Sequence, residues 1–492
     1  MKISTNRRRL LQATSGLFFS ESGHSRALES SLNLNLTGAE KNFDQLLGIN
    51  IWKLLPSNFS SPHIKNFMTS VKPSFVRFPP GEAANFWDAR VGTIYPAARP
   101  EVSFKYDTEP FPLKKFVEFT KIYSLSISYI VNMTSDASGI NGGNLQDQLN
   151  AIDVIRKLGG RISRVELGNE LYSESDKLDQ YKQRIFPSGE LFSQKAQIWI
   201  DQIKNLLPTA KFGAPFAESQ NTSRRKEWNK SVAQISSLTA LIIHPYFRDG
   251  LKISPKKIGS EQAKIMQDNL LNSGRSTDVI LTQPIRRVKQ LKHMTQSISG
   301  KKELWINEYD LVDSIGQLKG RWLHALAFAR FSLQLLELDG INAIAPYNIL
   351  GDPETFEIFS GFNDFSGVLG AKPTIPGELT ATGMALQILG EAAFKSTAAS
   401  QVDFSDEDSL GGIKTSLKTL YGWIFLNPKP RLFLINSSPN LFHCKKLRQF
   451  SHCRSFSADP LQRIYSYQDM SISDQTIGPG SAIPPYSLNL LT

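Results

Sequence analysis

The amino-acid sequence predicts an α/β fold, a (β/α)8 TIM barrel with a C-terminal β-sandwich domain. The chain has 492 residues, more than one hydrophobic core usually holds and enough for a barrel of about 250 residues with a second domain. Up to about residue 395, near-continuous apolar strand patterns alternate with helical patterns, which favours a parallel sheet, and eight such units favour a closed barrel. Beyond that point, strand-like runs separated by Asn-Pro and Pro-Gly turns predict a β-sandwich.

The domain boundaries follow from these changes in pattern. Residues 1–28 show no periodicity and are interpreted as a signal peptide or a disordered N-terminus. Residues 29–44 hold one strand, because leucine alternates with polar residues there, and residues 45–395 form the barrel. Residues 396–492 form the β-sandwich domain.

The barrel elements are predicted in chain order from apolar runs and helical spacing. The eight expected strands are Leu46–Leu54, Ser74–Phe78, Ser126–Met133, Ile162–Leu167, Lys211–Phe216, Thr239–Phe247, Leu304–Ile306 and Asn342–Leu350. The expected helices are Leu113–Tyr123, Asn144–Leu158, Phe192–Leu207, Ile285–Ser297, Arg321–Leu338 and Thr380–Phe394. In the sandwich, the expected strands are Thr419–Asn427, Arg431–Asn436 and Ser481–Leu491.

Two of the barrel strands end in a carboxylate. Ile162–Leu167 breaks at Gly168 into Asn169-Glu170, and Leu304–Ile306 runs into Asn307-Glu308. Residues at the carboxyl ends of barrel strands project into one shared mouth. Either glutamate alone is as well explained by a helix N-terminal acid or a surface carboxylate, but a pair fits retaining glycoside hydrolysis, which needs two carboxyl groups about 5–5.5 Å apart.

These motifs resemble a large clan of retaining TIM-barrel glycosidases, whose acid/base and nucleophile lie on strands four and seven. Residues 77–81, Arg-Phe-Pro-Pro-Gly, and residues 85–88, Asn-Phe-Trp-Asp, resemble the strand-two region of its heparanase and β-glucuronidase branch and of the neighbouring arabinofuranosidase-like and β-xylosidase-like branches. The resemblance spans residues 45–492 and implies that the N-terminal strand joins the C-terminal sandwich. Pro80 stands where these relatives usually carry a second glycine, which puts the shape of that loop, and hence the substrate, in question.

The resemblance implies roles for individual residues. Glu170 is the expected general acid/base and Glu308 the expected nucleophile, while Asn169 is expected to bind the sugar hydroxyl next to the reacting carbon. Arg77 is expected to hold Glu308 ionised, or to be a buried partner of Glu166, and both can hold at once. Tyr246 is expected to donate a hydrogen bond to Glu308, with His244 similarly placed; the alternatives are a core aromatic residue and a structural histidine.

Further contacts with substrate are expected only from position along the chain. Asn50, Asn85, Asn132 and Asp136 lie near strand ends and are candidates for sugar hydroxyl contacts, although turn-forming roles explain such residues equally well. The candidate stacking faces for sugar rings are Trp52, Trp87, Phe359 and Phe362, with simple packing as the alternative.

Several other classes of function lack their sequence signatures. The chain has no Walker loop, dinucleotide fingerprint or Ser-His-Asp order, so no cofactor is expected. The pairs His443-Cys444 and His452-Cys453 do not match familiar zinc spacings, and no metal is expected; the two cysteines could instead form a disulfide in an exported protein. A non-catalytic carbohydrate-binding barrel is the main rival, but it usually lacks one of the two carboxylates.

The expected partner is an oligosaccharide or polysaccharide substrate, and the protein is expected to be a monomer. The excess of 56 Lys+Arg over 45 Asp+Glu favours anionic partners, and with the resemblance it makes an acidic sugar such as a glucuronide the first expectation and an arabinofuranoside the second. Arg248 and the stretch 351–370 are the expected places for a uronate-binding pocket. No clustered basic patch indicates nucleic acid, and no run of apolar residues indicates a membrane span.

The N-terminus bears on localisation. Residues 6–11, Asn-Arg-Arg-Arg-Leu-Leu, resemble a twin-arginine signal, which predicts a secreted or periplasmic protein; a merely basic start would leave it cytoplasmic.

Overall fold

A computed structural model of the chain shows a parallel eight-stranded barrel sheet and an antiparallel seven-stranded sheet. The residues that the structure describes are 34–43, 45–51, 59–94, 110–134, 145–174, 177–296, 302–313, 315–347, 369, 379–404, 420–426, 429–443, 447, 450–478 and 481–492. The predicted fold class, a TIM barrel followed by an antiparallel β domain, is confirmed.

The barrel strands pair in chain order, each parallel to the next. They are Gly48–Asn50, Phe75–Phe78, Ser126–Val131, Ile162–Leu167, Lys211–Pro215, Ala240–Ile243, Glu303–Ile306 and Ile341–Ile344. A bridge between Leu47 and Ile344 joins the first strand to the eighth, and the Ile344 N–H donates to the Leu46 carbonyl at 2.7 Å. All carboxyl ends of the strands therefore meet at one mouth.

The predicted sixth strand, Thr239–Phe247, is wrong as a single element. The strand ends at Ile243, and Tyr246–Arg248 forms a separate short strand that pairs in parallel with Asp310–Val312. Pro245 lies between the two and has no N–H to donate to the ladder, which explains the break. The break leaves His244 and Tyr246 at the carboxyl end of the sixth strand, at the barrel mouth.

Aromatic rings in the barrel interior lie directly against glycines on other strands. A Cβ atom on Gly48 would lie 2.2 Å from the Phe75 ring, and one on Gly213 would lie 2.6 Å from the Trp305 ring. The guanidinium of Arg164 lies over both rings, 4.5 Å from the Phe75 centroid and 5.5 Å from that of Trp305. These two glycines are therefore required by the close approach of aromatic rings, and the barrel is a packed core at this level.

Helices cover the barrel. They are Pro62–Val71, Leu113–Ile122, Leu145–Lys157, Lys177–Ile185, Gly189–Leu206, Ser223–Ala233, Pro255–Ile258, Ser260–Asn272, Thr277–Gln296, Trp322–Leu335 and Ala381–Ala393. The helix predicted over Ile285–Ser297 begins at Thr277 instead, because Pro284 lies inside the helix and does not start it. None of these described helices has the length and hydrophobicity that crossing a membrane requires.

The antiparallel sheet packs on the helices Trp322–Leu335 and Ala381–Ala393. Its strands, in spatial order, are Leu34–Asn42, Ala398–Phe404, Leu420–Leu426, Arg431–Asn436, Ser487–Leu491, His452–Ser457 and Ser471–Thr476. Tyr421 and Trp423 belong to the main core shared with the barrel helices, whereas Leu420 and Ile424 belong to a second cluster on the opposite face. This alternation explains why the sheet is apolar on both faces.

A two-stranded ribbon covers that second face. Phe442–His443 pairs with Ala482–Ile483, and Phe442 and Ile483 are buried in the second cluster. The N-terminal strand Leu34–Asn42 lies at the sheet edge, antiparallel to Ala398–Phe404. Sequence patterns did not predict the strands at 398–404, 452–457 and 471–476, because polar residues interrupt their alternation.

Candidate active site

Three titratable side chains converge at the barrel mouth from three different strands. Carboxyl oxygens of Glu170 and Glu308 and a ring nitrogen of His244 all lie within 4.8 Å of one another. Glu170 follows the fourth strand, His244 the sixth and Glu308 the seventh. The structure thus brings together the two glutamates that the sequence analysis identified, which are 138 positions apart along the chain.

Donors engage both oxygens of Glu308. An Nη1 of Arg77 donates to Oε1 at 2.5 Å, and the Tyr246 hydroxyl donates to Oε2 at 2.7 Å. The Nδ1 of His244 lies 3.7 Å from the same Oε2. A buried carboxylate with a cation and a hydroxyl donor against it is stabilised in its ionised form, which is the form that attacks carbon.

The fully buried Arg77 joins two carboxylates. Its Nε donates to Oε2 of Glu166 at 2.9 Å, and its Nη2 donates to Oδ1 of Asn169 at 2.8 Å. Burial by itself lowers the pKa of Arg77, but the charges of Glu166 and Glu308 outweigh burial and raise that pKa further above its usual value. Both of the alternatives for Arg77, partner of Glu308 and partner of Glu166, therefore hold in the structure.

Glu170 and His244 form a hydrogen-bonded pair, with His244 Nδ1 2.8 Å from Oε1 of Glu170. Burial raises the pKa of Glu170, but the hydrogen bond and charge of His244, with Lys182 and Arg77 farther off, outweigh burial and lower it. Burial lowers the pKa of His244, while Glu308 and Glu170 outweigh that effect and raise it. The charge on each partner therefore favours the charged form of the other, that is, an ionised Glu170 beside a protonated His244.

The loop after the second strand holds Asn169. The Nδ2 of Asn169 donates to Oε2 of Glu82 at 3.3 Å, and Lys182 forms an ion pair with Glu82 at 3.2 Å. Burial raises the pKa of Glu82 to about 7, although Lys182 acts in the opposite direction. The side chain of Asn169 thus lies between Arg77 on one side and Glu82 on the other.

Two of the predicted sugar contacts make internal hydrogen bonds. The Nδ2 of Asn50 donates to the carbonyls of Asn307 at 2.6 Å and Pro346 at 3.2 Å, which ties the first strand to the seventh and eighth. The Oδ1 of Asn132 accepts from the N–H and hydroxyl of Thr134, both at 3.0 Å. These contacts match the structural alternative for both residues, with Asn132 closing a turn.

Other predicted contacts are buried or fall outside the described residues. Trp87 is buried, with its ring edge-on to Phe78 at a centroid distance of 5.6 Å, which fits packing. Arg248 is exposed at the end of its short strand. Outside the described residues lie Trp52, Asp136, Phe359, Phe362, Cys444 and, apart from residue 369, the stretch 351–370. Cys453 is a free, buried thiol.

Sequence reasoning missed four charged residues near the site. Glu82 lies only five positions after Arg77, within the loop that the resemblance had marked, so it could have been found. Lys182 lies on the helix Lys177–Ile185, and only the tertiary fold brings it against Glu82, so no sequence motif marks it. Arg287 lies 2.5 Å from Glu218. Burial raises the pKa of Glu218 to about 7, against the effect of Arg287 and with the charge of Glu170 adding to it.

Glu170, His244 and Glu308 form, within the described part of the chain, the one cluster of three acidic or histidine side chains close enough to share a metal ion. Both oxygens of Glu308 already accept from Arg77 and Tyr246. A divalent cation there would have to displace these donors and approach the positive guanidinium, so the contacts fit proton chemistry better than metal binding.

The sequence matches no protein-family model and no curated protein. The fold does match solved structures. A family 51 α-L-arabinofuranosidase from Bifidobacterium longum superposes with a TM-score of 0.64 at 12% identity, covering 94% of this chain and 98% of that chain. An α-L-arabinofuranosidase from Thermotoga maritima, in complex with arabinose, gives 0.58 at 12% identity, covering 94% and 99%.

A 4-O-α-L-rhamnosyl-β-D-glucuronidase from Fusarium oxysporum 12S superposes with a TM-score of 0.53 at 12% identity, covering 94% of this chain and 99% of that chain. At such identities the likeness bears on the fold alone. The chain therefore has, over nearly its whole length, the fold of these TIM-barrel glycoside hydrolases.

Proposed function

We propose that this protein is a retaining glycoside hydrolase that cleaves O-glycosidic bonds of oligosaccharides or polysaccharides by double displacement. One observation carries the proposal: Glu170 and Glu308 face each other across one barrel mouth, with carboxyl oxygens within 4.8 Å. Retaining enzymes hold their two carboxyl groups about 5–5.5 Å apart, whereas inverting enzymes need about 6.5–9.5 Å to admit a water molecule.

In the first step, Glu308 attacks the anomeric carbon. The attacking oxygen forms a bond to carbon as the bond from carbon to the leaving oxygen breaks, and Arg77 and Tyr246 keep the carboxylate ionised and aligned until then. The leaving oxygen takes the proton that Glu170 and His244 share. Sugar entering the mouth excludes water, which favours the neutral pair and moves that proton onto Glu170.

In the second step, Glu170 acts as a base. It is ionised after the first transfer and takes a proton from water, whose oxygen attacks the anomeric carbon and releases Glu308. Two inversions at the same carbon retain its configuration. The proton that Glu170 takes from water replaces the one that it shared with His244, so the pair returns to its starting state.

The sugar is the open part of the proposal. An acidic sugar is supported by the basic balance of the chain and by the likeness in fold to a rhamnosyl-glucuronidase. A buried uronate carboxylate, however, needs a cation or several donors of its own. The buried or half-buried cations described around the mouth already have acidic partners: Arg77 with Glu166 and Glu308, Lys182 with Glu82, and Arg287 with Glu218. Because none of these cations is left for a uronate, this pairing supports a neutral sugar. An arabinofuranoside is therefore kept as a second candidate beside the glucuronide.

A panel of nitrophenyl glycosides tests the function and separates the two sugars. The panel includes an α-L-arabinofuranoside, a β-D-glucuronide, a β-D-xyloside and a β-D-glucoside. A uronide site should favour the glucuronide over the glucoside by about 100-fold or more in kcat/KM, because a site built for a carboxylate is left with unpaired donors by its analogue. Equal rates on these two, with turnover of the arabinofuranoside, would remove the uronide.

Variants and stereochemistry test the mechanism. Glu308→Gln should lower kcat by at least about 10⁴-fold on any substrate that the wild type hydrolyses, since no nucleophile remains. NMR of the product formed first should show the anomeric configuration of the substrate. An inverted product would exclude double displacement, and binding of oligosaccharides without turnover of any would favour a non-catalytic carbohydrate-binding barrel.

A further inference from the structure

The backbone that carries Glu170 is held in an unusual conformation. Gly168 has φ of 79° and Glu170 has φ of 45°, so two left-handed residues flank Asn169. For a residue with a side chain, this conformation is unfavourable and persists only where surrounding contacts impose it. The direction of the Glu170 side chain therefore depends on whatever holds the Asn169 peptide groups.

The side chain of Asn85 makes that contact. Its Oδ1 accepts from the backbone N–H of Asn169 at 2.9 Å, and its Nδ2 donates to the backbone carbonyl of the same residue at 2.7 Å. Both main-chain groups of the residue before Glu170 thus end on one amide. A side chain at this position needs a donor and an acceptor side by side, which the amide of asparagine supplies and a carboxylate does not.

Asn85 is itself fixed. It is fully buried in the short 3₁₀ helix Gly81–Phe86, which follows the second barrel strand. The Thr134 hydroxyl donates to its backbone carbonyl, and its Nδ2 also lies 3.3 Å from Oε1 of Glu82. The amide is therefore a rigid support, attached to a different strand from the one that carries Glu170.

We propose that Asn85 is a positioning residue, which clamps the Asn169 peptide groups so that the Glu170 carboxyl group faces Glu308 and the leaving oxygen. The inference rests on the proposed function, and it replaces the expectation that Asn85 binds a sugar hydroxyl. Asn85 acts through Glu170 and touches no reacting atom, since its amide oxygen and nitrogen are both committed to the backbone of Asn169.

A displaced acid should matter most for substrates that need the acid. Asn85→Asp keeps the shape and the acceptor but loses the donor to the Asn169 carbonyl. On a phenyl glycoside, whose leaving group requires protonation, we expect a fall in kcat/KM of about 100-fold, within the usual range for general acid catalysis. On the 2,4-dinitrophenyl glycoside of the same sugar we expect less than about 10-fold, because that leaving group needs no proton.

Asn229 provides a matched control. Its Oδ1 accepts from the N–H of Ala217 at 2.8 Å and its Nδ2 donates to the Ala217 carbonyl at 2.8 Å, so this buried asparagine makes the same clamp elsewhere. Asn229→Asp should change kcat/KM for the two aryl glycosides by equal factors. Asn85→Ala serves as the second variant if Asn85→Asp fails to fold, which thermal unfolding monitored by circular dichroism will show.

The outcomes test the positioning role of Asn85 separately from the proposed glycoside hydrolase function. Equal losses on both aryl glycosides for folded Asn85 variants would overturn the positioning role and leave the proposed function standing. If the wild type hydrolyses no glycoside, the proposed function fails, and crystal structures of the wild type and Asn85→Ala decide the clamp alone. The clamp predicts that the 168–170 backbone moves and the 2.8 Å contact between Glu170 and His244 is lost in the variant; an unmoved backbone would refute it.

Discussion

The guanidinium of Arg77 lies between two carboxylates, 2.9 Å from Oε2 of Glu166 and 2.5 Å from Oε1 of Glu308. Glu166 is completely buried within the barrel wall and also accepts from the Ser128 hydroxyl at 2.8 Å. One guanidinium therefore neutralises both the structural carboxylate of Glu166 and the catalytic candidate Glu308. The effect of Arg77 on stability, through Glu166, should be separable from its effect on activity, through Glu308.

Removing the cation should destabilise the barrel. Arg77→Met leaves Glu166 buried without its cation, and breaking a buried pair in this way costs about 3–5 kcal/mol. We expect that loss in the free energy of unfolding measured with urea, together with a fall in kcat/KM of about 100-fold or more. The double variant Arg77→Met, Glu166→Gln should recover part of the stability and none of the activity; recovery of activity would show that Arg77 acts only through Glu166.

The Tyr246 hydroxyl should matter for rate and little for stability. Tyr246→Phe removes the 2.7 Å hydrogen bond to Oε2 of Glu308, and we expect kcat to fall by about 10–100-fold. Tyr309→Phe is a matched control, because Tyr309 is a buried tyrosine directly after Glu308 in the chain, and its hydroxyl lies 3.0 Å from the Ser332 hydroxyl in the helical layer. The control should lower the melting temperature and spare kcat. The reverse pattern would assign Tyr246 to packing.

Glu82 should make stability depend on pH. Its pKa is about 7 in the fold, chiefly because it is buried, against 4.5 for an ordinary glutamate. The unfolded chain therefore releases this proton first as pH rises, so the native state loses stability between about pH 4.5 and 7 and no more above that. Glu82→Gln removes this penalty.

Urea unfolding of the Glu82→Gln variant between pH 4.5 and 8 checks the sign. Its stability relative to the wild type should increase with pH by on the order of 1–3 kcal/mol up to about pH 7, then stay level. A relative stability that falls with pH would mean that the ion pair with Lys182 outweighs burial. Glu118→Gln, a change of the same type at an exposed helix position, should give a flat difference.

The N-terminal strand should be needed for stability. A chain that begins at Gln45 lacks the strand Leu34–Asn42, which pairs with Ala398–Phe404 at the sheet edge. Its loss exposes the main-chain groups of that neighbouring strand, and exposed edges promote association between chains. We expect a lower melting temperature and concentration-dependent aggregation by light scattering. Unchanged unfolding would show that the remaining sheet is self-sufficient.

The sequence by itself determined the barrel and the identity of its two strand-end glutamates. Strand and helix periods are local properties of the chain, so the eight strands were found, and Gly168 and the polar residues after Ile306 mark where two of them end. The errors are local as well. The sixth strand was extended through Pro245, and the helix at Thr277 was started too late, because proline carries a strong signal whose outcome depends on its neighbours.

Only the tertiary structure decided what these residues contact. Arg77 was expected to meet either Glu166 or Glu308, and the fold lets one guanidinium reach both. Asn85 was expected at a sugar and instead holds the backbone of Asn169, 84 positions along the chain. A side chain's partners depend on distances set by strand pairing and barrel closure, and neither composition nor period encodes these, because both describe only neighbours along the chain.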